Sequence, residues 1–316
     1  MRPSCRSGSS PQRSNAVSLR DLLVLAGDYP LPITPGIVAG CEGAGEVVAT
    51  GPGAVRVRVG DRVMPTVFPD WIDGPFGLER AAQLGGTRNG TLAEYAVVPE
   101  EALVPIPEHL SYEEAAALPL TAVTAWHALT GSRPPLPGQT VVALGSGGVS
   151  LAVIQLAALA GARVIVTTSD VAKAERLRAL GAHEVIDRRA RPRWHEAVRE
   201  LTDGRGADLV VDVAGTLEES LRSVAIGGDV AFVGYRTSAT AAPRTALDAR
   251  VLFASGARVR GIAVGSRAQF TALTQALATG RTQPVLGRVF PFTEAVAALR
   301  HQERGDGFGK VILTHA

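Results

Sequence analysis

VVALGSGGVS, residues 141–150, followed by LAVIQLAALAGARVIVTT, decides how the rest of this chain is read. Val141 to Leu144 is an unbroken apolar run, as in a strand buried on both faces, and Gly145, Gly147 and Gly148 end it before a helix begins near Val149. A glycine at 145 permits a tight turn, and one at 147 lets the backbone approach a pyrophosphate. The helix N-terminus then offers unpaired N–H groups and a partial positive charge. The third glycine of the G-x-G-x-x-G fingerprint is Ser150 here. The order the fingerprint demands is still complete: strand, glycine turn, helix, and a second strand from Ala162 to Thr168.

A chain of 316 residues suits two domains with sizeable cores. The net charge of +2 points to no acidic partner. All but Lys173 and Lys310 of the 32 basic side chains are arginines, scattered among acids rather than gathered in a stripe, so no nucleic-acid partner is expected. Cys5 and Cys41 are too few for a disulfide framework and suit a reducing, cytoplasmic setting. Arg163 and the glycine turn interrupt the longest apolar run, so no membrane span is expected. Residues 1–15, MRPSCRSGSSPQRSN, are basic and lack the apolar region of a secretory signal; a disordered or atypical start is expected there.

From Val17 to Pro30 the chain reads as a short strand or turn leading into a helix. Glycine-punctuated segments follow, with strands near Gly45 to Thr50 and after Gly60-Asp61. The loop from Pro65 to Gly86, with Phe68, Trp71 and Phe76, suits either a substrate-cleft wall or an anchored surface loop. Leu110 to Thr130 is helical in composition, capped by Ser111 and divided at Pro119. Beyond the second strand, further strands are expected at His183 to Asp187, Asp208 to Val213, Gly228 to Gly234 and Ala257 to Ile262, with helices at Lys173 to Leu180 and Trp194 to Thr202. Such alternation calls for a parallel sheet covered on both faces, with ligands at the C-terminal strand ends, where Ala214, Gly215, Gly234 and Tyr235 fall. The tail is expected to hold a helix from Ser266 to Thr279, a strand near Val289, a helix from Thr293 to Arg304 and a last strand from Lys310 to Leu313.

The series RDLLVLAGDYP, CEGAGEVVATGPG, VGDRVMP, GGTRNGTLAEYAVVP, AAALPLTAVTAWHAL, the glycine turn and GFGKVIL resembles the medium-chain dehydrogenase/reductase superfamily in order and spacing, over roughly Val17 to Leu313. The resemblance implies an α/β fold: a Rossmann parallel-sheet domain over 120–262 and a β-rich GroES-like catalytic domain formed by 16–119 and 263–316. Family members usually carry more residues before the RDLL segment, and residues 1–15 do not resemble them. The resemblance also implies a homodimer or tetramer joined through the edge strand Ala257 to Ile262, and it places Thr124 beside a nicotinamide ring.

An NAD-binding enzyme puts an acid at the end of the second strand to hold the ribose 2′-hydroxyl. Thr168 stands there, with Ser169 next, and both can offer hydroxyls. An acid at roughly 4 Å from a 2′-phosphate would cost about 4 kcal/mol per unit charge at an effective dielectric near 20, so its absence favours NADP(H). Asp170 reads as a helix cap, while Lys173 and Arg188 are cations within reach of the phosphate. The expected cofactor-binding set is Thr124, Gly145, Ser146, Gly147, Gly148, Val149, Thr168, Ser169, Lys173, Arg188, Ala214, Gly234, Tyr235, Val264 and Lys310.

By the same resemblance, the catalytic-zinc ligand positions are Ser18, Cys41 and Leu120, which hold one thiol among them. A zinc-free enzyme is therefore expected. Without a Lewis acid, reducing a quinone or an α,β-unsaturated carbonyl is the easier chemistry, because hydride adds to a carbon already electron-poor. Ser18, Tyr29 and Trp71 are the candidate catalytic donors. The alternatives are alcohol/carbonyl interconversion on the same fold, and an NADPH-binding protein without catalysis.

Overall fold

In the computed structural model, which describes residues 7–234, 247–305 and 307–315, the chain divides into two compact units. One comprises residues up to Val123 together with Val264 onward, and the other runs from Thr124 to Ala263.

The first unit opens with strand β1 (Ser7–Val17), which is a correction to the expected disordered start. Helix α1 (Leu19–Leu25) follows, then β2 (Glu42–Glu46), β3 (Ala49–Thr50), β4 (Arg62–Pro65), β5 (Tyr95–Pro99) and β6 (Leu103–Pro105). Residues 7–11 of β1 pair with β3 and β5, and residues 12–16 with β2, the register shifting between Gln12 and Ser14. The segment SGSSPQRSN has no apolar alternation, so its strand state is imposed by the edges that receive it rather than by its own propensity. Asn15 shows how a polar residue is accommodated inside: its Nδ2 donates to the carbonyls of Glu42 (3.2 Å) and Thr91 (2.8 Å). The division at Pro119 stands: α2 (Tyr112–Ala116) gives way to a π-helical turn, Leu118–Ala122, and then α3 (Val123–Thr130), which from Thr124 on belongs to the second unit.

The second unit carries β7 (Thr140–Leu144), α4 (Gly148–Leu159), β8 (Arg163–Thr168), α5 (Ala174–Ala179), β9 (Glu184–Asp187), α6 (Trp194–Leu201), β10 (Ala207–Asp212), α7 (Leu217–Ser223), β11 (Val224–Phe232), α8 (Ala249–Ser255) and β12 (Arg258–Gly261). All six strands are parallel, in the order β12-β11-β10-β7-β8-β9, which is the doubly wound arrangement with β7 at its centre. Every residue of β7 is buried, as its uninterrupted apolar run requires. Val142 and Leu144 meet Ile165, Ile186, Val210, Val230 and Trp194 in one core. Helices α7 and α8 are additions to the sequence reading; LEESLRS and ARVLFAS are too short for a helical period to stand out.

The chain then returns to the first unit with α9 (Arg267–Gly280), β13 (Leu286–Pro291), α10 (Ala295–Arg304) and β14 (Lys310–Thr314). Strand β14 pairs antiparallel with β1, Val17 opposite Val311, and completes an eight-stranded sheet. The two ends of the described chain are thus neighbours in one sheet, with His315 at 2.7 Å from the Asn15 Oδ1.

Candidate active site

The glycine turn of the second unit is built as the sequence suggests. Gly145 has φ +84°, open to glycine at no steric cost, and its N–H donates to the Thr167 carbonyl at 2.7 Å, tying the turn to β8. Gly147 caps the twelve-residue helix α4 without any side-chain bond. A Cβ placed on Gly145 or Gly147 would meet nothing within 4 Å. The space above the turn is therefore open while the first amides of α4 border it, which fits the pyrophosphate of a dinucleotide. Ser150 is buried and donates from Oγ to the Leu144 carbonyl at 2.6 Å, so a serine fits the third-glycine position by satisfying its hydroxyl internally.

At the end of β8 the arrangement differs in part from expectation. The Thr168 side chain is buried, and its Oγ1 accepts from Asp170 N (3.0 Å) and donates to Asp170 O (3.1 Å). Thr168 shapes the turn rather than offering its hydroxyl to a ligand. The two carboxylates beside this end are engaged in turns: Asp170 accepts from Ala172 N (3.1 Å) and lies 3.8 Å from Lys173 Nζ, and Asp187 accepts from Arg189 N (2.8 Å). Arg188 donates its backbone N–H to Thr168 O at 2.9 Å, so Ser169, Lys173 and Arg188 do gather around the end of β8.

At the end of β10, buried Asp212 organises the loop. Its Oδ1 accepts from Ala214 N (2.9 Å) and Thr216 N (3.3 Å), and its Oδ2 from Ser220 Oγ (2.9 Å). Burial pushes its pKa up, and the Ser220 and backbone bonds oppose that shift. A Cβ on Gly234 would lie 2.1 Å from the Val213 carbonyl oxygen, so that position admits only glycine. Thr124 is buried on α3, and Val264 is a buried valine at φ +24° in the first unit. Tyr235 lies outside the described residues.

Lys310 is placed differently from the cofactor role expected of it. Its ammonium is buried 2.5 Å from Glu42 Oε2 and donates to the Val17 carbonyl at 3.2 Å. The other oxygen of Glu42 accepts from Leu120 N (3.1 Å) and Thr121 N (3.4 Å) in the π-helical turn. A carboxylate thus takes up backbone donors of an irregular turn. Burial pushes the Glu42 carboxyl up and Lys310 pulls it back.

Beside this pair lies a second buried group. Asp21 accepts at Oδ2 from both the backbone N–H (2.8 Å) and the hydroxyl (2.9 Å) of Ser18. The Ser18 hydroxyl is consequently engaged and is not a free proton donor. Arg20 donates from Nη2 to Gln83 Oε1 (2.6 Å) and the Leu84 carbonyl (3.0 Å), and its guanidinium carbon stands 5.0 Å from the centre of the half-buried Tyr29 ring. Burial works against the Arg20 charge, and its neighbours, Cys41 and then Asp21, more than compensate, so its pKa is raised. Burial likewise pushes up the Cys41 thiol and the Tyr29 phenol, with Arg20 pulling both the other way. Trp71 is removed from the donor candidates: it is buried against Phe68 and Phe76, and its indole N–H donates to the Gly74 carbonyl at 2.9 Å.

The zinc that this fold suggests does not fit the residues present. Ser18 is held by Asp21, Cys41 is a thiol disfavoured as thiolate, and Leu120 is a hydrocarbon. Among the described residues no group of three or more His, Cys, Asp or Glu side chains could hold a metal ion. Arg20, Asp21 and Glu42 were not singled out from the sequence. The nearest signals were an Arg-Asp pair inside an apolar helix and the first of two acids in a glycine-rich strand, next to Cys41.

Comparison with known proteins agrees with this architecture. Residues 13–108 match the family described as alcohol dehydrogenase GroES-like domain, and residues 148–279 the family described as zinc-binding dehydrogenase. A zinc-type alcohol dehydrogenase-like protein of Schizosaccharomyces pombe is 36% identical over 306 residues, covering 95% of this chain and 88% of the relative. Quinone oxidoreductase-like protein 2 of Bos taurus is 31% identical, with 94% of this chain and 82% of the relative covered. The crystal structure of a putative alcohol dehydrogenase from Sinorhizobium meliloti superposes with a TM-score of 0.90 at 35% identity, over 98% of this chain and 91% of that one. The chain belongs to the medium-chain dehydrogenase/reductase superfamily and is an oxidoreductase, of a family whose members bind nicotinamide cofactors.

Proposed function

We propose that this oxidoreductase is zinc-free, uses NADPH, and reduces a quinone or an α,β-unsaturated carbonyl. The observation that carries the reading is the chemistry at Ser18, Cys41 and Leu120, where a bonded hydroxyl, a buried thiol and a hydrocarbon stand in place of a ligand set. Without a metal to hold an alkoxide, the favoured substrates are those whose reacting carbon is already electron-poor and whose product oxygen needs only hydrogen-bond donors. A bound nicotinamide would supply the hydride. Gly145 to Val149 would hold its pyrophosphate, with Ser169, Lys173 and Arg188 at the ribose end. NADPH is favoured over NADH because Thr168 and Ser169, rather than an acid, stand at the end of β8, with Lys173 and Arg188 close to the same end.

The name of the yeast relative supports a second reading, alcohol/carbonyl interconversion. One experiment separates the two: loss of NADPH absorbance with a quinone, an enone and an aldehyde, on protein whose zinc content has been measured. Turnover of the quinone or enone by zinc-free protein is the expected result. Stoichiometric zinc, or turnover of the aldehyde alone, overturns the proposal. We also propose a homo-oligomer joined along β12, the outer strand of the six-stranded sheet, where Val259, Ile226 and Phe253 are exposed. A monomer in sedimentation equilibrium would exclude it.

A further inference from the structure

Arg20 is 6% exposed and interacts with the Tyr29 phenol, yet its Nε and Nη1 have no acceptor at bonding geometry, and Oδ1 of the buried Asp21 has no donor. Nη1 and Oδ1 lie 3.7 Å apart, close enough to attract and too far to bond. The remaining polar atoms are engaged: Nη2 with Gln83 and Leu84, and Oδ2 with Ser18. A buried guanidinium short of acceptors beside a carboxylate oxygen short of a donor is a costly arrangement. What relieves it is a single group that accepts from the cation and donates to the anion. A hydroxyl does both, and an oxyanion does the first.

We propose that Arg20 and Asp21 form the subsite for the reacting oxygen of the substrate, with the guanidinium supplying the positive charge that a metal supplies in zinc enzymes. The inference rests on the reductase reading above. In the reaction, the substrate's electron-poor carbon gains a hydrogen with its electron pair from the reduced nicotinamide, which is oxidised. The substrate π pair moves to oxygen, and solvent supplies the proton that completes the enol or alcohol; with a quinone, the ring carbon then loses a proton to solvent and the second oxygen gains one, which completes the quinol. Arg20 donates to that oxygen as its charge grows, and Asp21 Oδ1 accepts from the finished hydroxyl. Gln83 and the Leu84 carbonyl fix the guanidinium beforehand, so little reorganisation is needed as charge develops. The unpartnered atoms are shut off from bulk water, which strengthens their pull on a developing anion.

The test uses 4-nitrophenol, whose phenolate absorbs visible light and whose neutral form does not, bound to the full-length protein and titrated with pH. On the unaltered protein the bound phenol should ionise about one to two units below the free phenol. Arg20→Gln should abolish that shift, Arg20→Lys should keep part of it, and Asp21→Asn should enlarge it by removing a repelling charge. With an enone or quinone, Arg20→Gln should lower kcat about a hundredfold while NADPH binding is unchanged. No binding of the probe, ionisation as in free solution, or a shift indifferent to Arg20→Gln overturns the subsite. Should Arg20→Gln fail to fold by circular dichroism, Asp21→Asn decides: a smaller or unchanged shift overturns the proposal. If the panel is reduced but Arg20→Gln stays within about threefold of the unaltered protein, the subsite falls and the reductase reading stands. If ionisation follows Arg20 while no panel member is reduced, the reductase reading falls and the subsite stands.

Discussion

The glycine turn at 145–150 and the buried cluster around Arg20, the two regions proposed to meet ligands, are made of different material. The turn uses backbone amides beside open space, with nothing where a Gly147 side chain would lie, and Ser150 bonds back to the end of β7 at Leu144. The cluster uses charged side chains with almost no exposure, drawn from positions as far apart as 20, 42, 83 and 310. A backbone site can be emptied of function by filling its space without disturbing the fold. A site built from buried charges ties function and stability together.

That contrast is open to direct attack. The largest effect is expected from Lys310→Met, which strands the Glu42 carboxylate and should cost about 3–5 kcal/mol in urea unfolding, with part recovered when Glu42→Gln is added. A loss below about 1 kcal/mol would show that the pair does not couple the two ends of the first unit. Next comes Gly147→Val, expected to weaken dinucleotide binding at least tenfold, or about 1.4 kcal/mol by fluorescence titration. Its cost in stability should stay near that of a lost cap preference, about 1 kcal/mol; a larger loss would mean that the turn supports the fold as well. Lys173→Ala should reduce the preference for NADPH over NADH by about tenfold, and equal affinities in the unaltered protein would remove the basis for that preference. The smallest effect is expected from Ser150→Ala, which deletes the bond to Leu144 and should cost about 0.5–1.5 kcal/mol in thermal or urea unfolding, with cofactor affinity intact.

How far the sequence could be read follows from the same contrast. The doubly wound sheet was legible because its inner strands β7, β8 and β10 carry apolar runs and each is followed by a local turn or helix. The glycine turn was legible because its chemistry resides within ten consecutive residues. Strand β1 was not, since SGSSPQRSN owes its extended state to β2, β3, β5 and β14, none of which is its neighbour in sequence before Glu42. Thr168 was found at the expected strand end, yet whether its hydroxyl faces a ligand or Asp170 depends on a turn geometry that residue type does not specify. Trp71 and Ser18 were plausible donors by chemistry alone, until their hydrogen-bond partners were known.

Lys310 states the division most compactly. It stands in GFGKVIL, a recognisable motif near the chain end, and it is one of two lysines, so the sequence marked it as unusual. Its role was decided only when β14 paired with β1 and brought the ammonium to a carboxylate 268 positions away. Local patterns of hydrophobicity and glycine determined the elements, the superfamily and the dinucleotide turn, because those depend on short-range periodicity. The partners of buried charges depend on long-range register, and only the tertiary structure chose Glu42 for Lys310 and left Arg20 and Asp21 with atoms to spare.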